Sequence, residues 1–406
     1  MSKRGTERRN TCGSKSARQA EDEDGLENPL DFPLQARSLK QLSKKERRRY
    51  HRVRSLLSSG GGTASLLLAN IPLAGLGVYE AILAQSWAAR FADPEKMVQL
   101  AELAVEVAQG FDPRGYGSKR VADLQARAWG ELGNAFRTAD RLRSAQQAFG
   151  KAFHLLHRGS GDLYLKARLF EFEASLLGAW REFPLALQRL TSLSNMYLDL
   201  GEPHLAGRAF ITRALYTFYS GETGRAAALN EDGLRLINRQ RDPALLLLAV
   251  HNHLLFLVDL GHYDQAQRLL FENRQNFIYK DRISALRLRG IEGRISYGLG
   301  KLLSAEIAFR EVKAGLLDAG MHFLGALTSL ELAVVLRTQD RIQEAEQEVA
   351  VARDIFLSMG IYREYLGSIL FLEESFRRRE ATAELIQATI KHIERKWQQV
   401  GPSQMR

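Results

Sequence analysis

The densest chemical signal in the sequence lies between Lys44 and Arg54. Lys44, Lys45, Arg47, Arg48, Arg49, Arg52 and Arg54 fall within eleven residues, with Tyr50 and His51 among them. Cations at this density attract phosphates through counterion release. The stretch is therefore a candidate contact for nucleic acid or an anionic surface, and the alternative is a solvated tail helix. The other chemistry-bearing residues are isolated. His251 and His253 are two apart, so on a helix they face different ways and cannot share a metal, which needs an i, i+4 pair. Gly115, Gly117 and Lys119 hint at a phosphate loop, but the lysine does not follow the glycine directly and no strand precedes it. The segment reads as a turn. Glu373 and Glu374 are consecutive, which suits a solvated helix face rather than an acid/base pair. No H-x-E with C-x-x-C and no G-x-S-x-G occurs. The expectation is a non-enzymatic protein without catalytic residues, metal or cofactor.

Composition narrows the class. The chain has 406 residues, 45% of them hydrophobic and 26% charged, so it can bury a sizeable core. One cysteine, Cys12, excludes an internal disulfide framework and a cysteine-rich zinc site. It fits a reducing, cytoplasmic compartment. Residues 1–60 hold 15 Lys/Arg and 8 Asp/Glu, so 7 of the +10 net charge lies in that arm. No apolar segment follows the basic start, so no signal peptide is expected. Ser55–Tyr79 carries no charge, and Ala64–Leu83 is the one stretch that could tether the chain to a membrane. Gly60, Gly61, Gly62, Asn70, Pro72, Gly75 and Gly77 interrupt it, and its dense apolar part is shorter than the roughly 20 residues a spanning helix needs. A buried first helix, capped at Asn70 with Pro72 in its first turn, is expected instead.

These residues must sit on helices. Beyond residue 70 apolar positions recur every three or four residues, with no strand signal. Asp93-Pro94, Asp112-Pro113 and Asp242-Pro243 each read as an N-cap followed by an N1 proline. Residues 128–153 read AWGELGNAFRTADRLRSAQQAFGKAF. With Trp129 as position 4, Leu132, Gly133, Phe136, Ala145, Phe149 and Ala152 fall at positions 7, 8, 11, 20, 24 and 27. Two antiparallel helices approach closely only where side chains are small; Gly133 and Ala145 supply that contact. The position-20 alanine returns at Ala186, Ala226, Ala266, Ala305 and Ala345, at intervals of 39 to 41 residues. Turn residues keep the same beat, between hairpins at Gly161, Gly201, Asp242, Asp281, Gly320 and Gly360, and within them at Asp140, Gly221, Gly261, Gly300 and Asp340.

On these residues the chain resembles the tetratricopeptide repeat superfamily, in the form of a bacterial-type array with hairpins of about 40 rather than 34 residues. The signature is worn outside the opening copy: position 4 becomes Phe170, Phe210, Val250, Arg289 and Ser329. The resemblance implies an all-α, right-handed α-solenoid of about seven to eight helical hairpins over residues 71–397, near 71–109, 121–157, 162–200, 203–240, 243–280, 282–319, 321–359 and 361–397. Residues 1–30 are expected to be a disordered tail and 31–60 a basic helical arm. Lys391, Glu394, Arg395, Lys396 and Gln398 suit a polar capping helix at the end of the array.

The resemblance also implies a groove lined by positions 2, 5, 9, 12 and 13 of each first helix. Position 2 is Arg127, Arg168, Arg208 and Arg287, with leucine at 248 and 327. Asn134, Arg137, His251, Asn252, Arg294, Tyr297 and Arg337 join them. Guanidinium forks suit carboxylates and phosphates, so the expected partner is a protein or peptide with acidic or carboxylate groups. The alternative pairs each arginine with a glutamate of a neighbouring hairpin, such as Glu131, Glu171 or Glu292. The implied function is a protein–protein interaction scaffold. Its rival is a regulator that senses a peptide or protein and touches nucleic acid or the transcription machinery through residues 44–54. An array of this kind can also dimerise through a worn terminal unit.

Overall fold

The computed structural model describes residues 33–58, 75–90, 92–274, 277, 282–359 and 363–400. Among them are 19 helices and no strand. In chain order they are α1 (Pro33–Lys40), α2 (Lys44–Ser58), α3 (Leu76–Ala89), α4 (Pro94–Gln109), α5 (Pro113–Tyr116), α6 (Ser118–Thr138), α7 (Leu142–His157), α8 (Leu163–Ala179), α9 (Phe183–Asp199), α10 (Pro203–Tyr219), α11 (Thr223–Leu236), α12 (Pro243–Asp259), α13 (Tyr263–Asn273), α14 (Arg282–Gly298), α15 (Leu302–Asp318), α16 (His322–Thr338), α17 (Ile342–Ser358), α18 (Arg363–Arg377) and α19 (Ala383–Val400). The protein is an all-α helical-repeat solenoid built of consecutive packed hairpins.

Local sequence explains the starts. Asp93 accepts a hydrogen bond from the Lys96 amide at 2.9 Å and Asp242 from the Leu245 amide at 2.9 Å, each followed by proline at the first helical position. Asp112 caps α5 in the same way, so the segment 115–119 read as a turn holds the end of a short helix before Gly117 starts α6. The expected start at Asn70–Pro72 lies outside the described residues; the helix found there begins at Leu76, after Gly75.

The repeat length follows from the helices. From α14 to α17 each helix has 17 residues and each turn three, which makes 40 per hairpin. All six position-20 alanines are fully buried. A Cβ on Gly133 would lie 2.4 Å from the Phe149 ring, so only hydrogen fits where α6 and α7 cross. Gly261 closes the α12–α13 turn at φ +77°, a left-handed conformation that costs a residue with a Cβ. Asp140 and Asp340 take the same conformation at the matching turns. Arg181 and Arg379 do too, without a sequence signal. Asp242 is a helix cap rather than a left-handed turn, and Asp281 and Gly360 lie outside the described residues.

The chain divides into two compact units, Met1–Phe172 and Glu173–Arg406, the division falling inside α8. In the first unit α2 packs on α3, α3 on α4, α4 on α6 and α6 on α7. Its core includes Tyr50, Val53, Leu57, Tyr79, Ile82, Met97 and Leu100. The basic stretch is thus no detached arm: Tyr50, Val53 and Leu57 anchor α2 to the first hairpin. Leu76 to Leu83 are all buried, and among the described residues no helix is long and apolar enough to cross a membrane. The rest of the proposed tether, up to residue 74, lies outside the described residues.

In the second unit each helix from α9 to α18 packs on the next. The end of the chain departs from this order. α19 packs on α16 as well as on α18, whereas α18 packs on α17. Phe323 to Leu336 of α16 are almost all buried, as an apolar helix enclosed on every side requires.

Candidate functional site

On α6 and α8 of the first unit, Arg127 and Arg168 have internal partners. Arg127 on α6 is 6% exposed, and its Nη1 and Nη2 donate to the Glu80 carboxylate of α3 at 2.7 and 3.0 Å. Glu80 is wholly buried and also accepts from Ser38 after α1's first turn. Burial works against the Arg127 charge, but Glu80, together with Tyr79 and Glu131, outweighs it and keeps the guanidinium protonated. Arg168 on α8 is 4% exposed, 3.3 Å from both Glu131 and Glu171, and stacks over Trp87 and Phe172. Asn134 is buried and accepts from Arg137 Nε at 3.1 Å and Nη2 at 2.9 Å. Arg127 and Arg168 therefore hold hairpins together and are not presented to a partner. This corrects their place in the expected groove. Glu131 and Glu171 are the very residues the sequence offered as alternatives.

The second unit differs. Arg287 on α14 is exposed and Arg181, in the turn after α8, is half-buried; neither makes an ion pair among the described residues. Arg181 lies 5.8 Å from the Tyr219 ring and 5.8 Å from the Phe183 ring. Tyr219 ends α10, and burial raises its pKa against the opposing pull of Arg181 and Arg287. His251 on α12 is half-buried; burial, with Arg287 nearby, lowers its pKa and favours the neutral ring. The turn after α8 and the helices α10, α12 and α14 thus contribute Arg181, Tyr219, His251 and Arg287, with Arg181 and Arg287 both near enough to act on Tyr219 and Arg287 near enough to act on His251. Guanidinium groups suit carboxylates and phosphates chemically, and neither Arg181 nor Arg287 has an ion pair among the described residues. Arg208 is half-buried on α10, and Asn252, beside His251, is 4% exposed with its Nδ2 unpaired among the described residues. Arg181 and Tyr219 were not legible as site residues. They occupy turn and helix-end positions, which packing patterns do not distinguish.

Farther along this unit the chain covers its own first helices. Arg294 on α14 pairs with Glu331 of α16 and with Glu394 of α19, the latter at 3.2 Å. Burial opposes the Arg294 charge, and the two carboxylates overcome it. Burial raises the Glu331 pKa, with Arg294 opposing and Glu394 assisting. Arg337 Nε donates to the Ala381 carbonyl at 2.9 Å, just before α19. The Tyr297 hydroxyl is 3.3 Å from Thr338 Oγ1. Lys391 Nζ is 3.8 Å from Asp259 at the end of α12. The C-terminal helix is therefore more than a water-facing cap: Lys391 and Glu394, expected on its polar end, reach back to α12 and α14.

The cations of α2 form one outward face. Lys44, Lys45, Arg47, Arg48, His51 and Arg52 are exposed. At 100° per residue they share an arc of roughly 160°. Lys44, Lys45, Arg48 and Arg52 make no ion pair among the described residues. Arg49 is taken by Glu46 at 2.9 Å, and Arg54 lies 3.4 Å from the Tyr50 hydroxyl. No protein-family model matches the chain, and no curated protein matches it in sequence.

Proposed function

We propose that the protein is a non-enzymatic, tetratricopeptide-like scaffold that takes an acidic segment of a partner protein on the first helices of its second unit. The observation that supports this is the contrast among its arginines. Arg127, Arg168, Arg294 and Arg337 have internal acceptors, whereas Arg181 and Arg287, both near Tyr219, have no ion pair among the described residues. Cations that stabilise no neighbour are available for recognition. The test is affinity capture with wild type and the Arg181→Glu/Arg287→Glu variant side by side, followed by reconstitution with the purified partner. Capture should be lost in the variant while its helical content and thermal midpoint hold. Equal capture overturns the reading. The lone Cys12 supports a cytoplasmic location, which fractionation checks.

The outward cations of α2 favour a second, regulatory reading, in which that face holds nucleic acid by its phosphates. Affinity for a duplex should then fall steeply with salt and fall about tenfold or more in a Lys45→Glu/Arg48→Glu/Arg52→Glu variant. Salt-independent binding, or binding unchanged by the variant, removes this reading.

A further inference from the structure

α19 is an amphipathic helix with one narrow apolar edge. Ile386, Ile390 and Ile393, at i, i+4 and i+7, are 0%, 7% and 0% exposed, and Thr389 between them is buried. They join the cluster of Leu327, Leu330 and Val334 on α16. Glu394, at i+8, meets Arg294 on α14, and Lys391 meets Asp259 on α12. One helix thus packs on α16 and reaches α14 and the end of α12 through ion pairs. Helix axes in contact lie 8–10 Å apart, so α12 to α16 covers on the order of 20 Å. An 18-residue helix is about 27 Å long, enough to lie across all three. This is how a helical ligand lies in a groove, reading its seat through i, i+4 and i+7 anchors.

We infer that the face formed by α12, α14 and α16 is a helix-binding site, occupied in this state by α19, and that its external partner is an amphipathic helix of the same pattern. That pattern is three branched apolar side chains at i, i+4 and i+7, followed by a carboxylate at i+8. The inference rests on the protein-binding reading above and adds the form of the partner.

Three observations make α19 exchangeable rather than permanently built in. Its departure strands no charge, because Arg294 keeps Glu331. The Lys391–Asp259 pair is more than one-third exposed on both sides, so water replaces it readily. The turn before α19 runs through Arg379 at φ +60°, and an open cleft is lined by both α18 and α19 beside Gly367, Ser368 and the 61%-exposed Phe371. The contacts an incoming helix must chiefly replace are those of the three isoleucines on α16 and of the Glu394 carboxylate on Arg294.

The experiment uses the full chain and a fluorescein-labelled synthetic peptide of residues 382–398. The Ile390→Asp/Ile393→Asp variant loosens α19 within the intact protein. It should bind the peptide at least tenfold more tightly than wild type does. A control peptide with serine at 386, 390 and 393 should bind neither. Equal, undetectable binding by a folded variant overturns the inference. Should the variant fail to fold, hydrogen exchange on wild type decides. Excess peptide should speed exchange of the α19 amides and leave α14 and α15 protected; no change in α19 overturns the inference. Captured partners retained by wild type and by Ile390→Asp/Ile393→Asp alike, yet lost in Arg181→Glu/Arg287→Glu, would refute this inference alone. Peptide exchange with no loss of capture in Arg181→Glu/Arg287→Glu would refute the acidic-segment reading alone.

Discussion

The first helices of the two units carry arginine at the same repeat position and use it differently. In the first unit Arg168 finds Glu131, 37 residues earlier on the preceding first helix. In the second unit the residue 37 before Arg287 is Val250, which is buried and apolar. The guanidinium recurs, but the acceptor does not. Repetition of one residue type therefore says little about its role; the residue one hairpin away decides whether a cation ties the array together or faces outward.

That contrast can be broken most forcefully at Arg127. Arg127→Ala leaves Glu80 buried without its cation, and removing one partner of a buried pair costs about 3–5 kcal/mol. The urea midpoint should fall accordingly, and a drop under about 1 kcal/mol would mean that Glu80 is relieved by other means.

Two glycines sharpen the contrast in packing. Gly133→Ala pushes a Cβ against the Phe149 ring and should destabilise by about 1–3 kcal/mol. Gly290→Ala on α14 meets only Val312 at 4.0 Å, an ordinary contact. It should stabilise by about 0.5–1 kcal/mol through helix propensity. Thermal melts of the pair should move in opposite directions.

Acid titration probes the second unit. Burial lowers the pKa of His204, His251 and His253. Arg241 and Arg208 reinforce this at His204 against Asp242 and Glu202; Arg287 reinforces it at His251; Glu231 opposes it at His253. Their unfolded pKa is about 6.5, so the unfolded state binds more protons below that pH. The stability they contribute is complete above about pH 6.5 and is lost as pH falls through their folded values. Urea unfolding from pH 7 to pH 5 should show the loss, and His251→Gln should flatten it.

The smallest effect is expected at Arg287. Arg287→Ala should change stability by less than about 0.5 kcal/mol, because the side chain is exposed and unpaired among the described residues. A loss comparable to that of Arg127→Ala would place it among the structural ties.

Much of the fold was legible because it is local. The position-20 alanines mark helix crossings, and all six are buried. Glycine and aspartate at the turns follow from left-handed backbone angles, and Asp-Pro pairs cap helices where expected. The site was legible only in part. The periodicity placed Arg287 and His251 on first helices, yet it placed Arg127 and Arg168 beside them as equals. Arg181 escaped notice because it takes a left-handed turn position used elsewhere by Gly and Asp.

By itself the sequence determined the repeat, the helix lengths and the small-residue contacts, since these depend on neighbours within one hairpin. Only the tertiary structure decided which arginines are neutralised and what lies over the last first helices. Glu80 is 47 residues from Arg127, and Glu394 is 100 from Arg294. Such pairings depend on how hairpins stack and on where the chain end returns, and no short-range pattern encodes either.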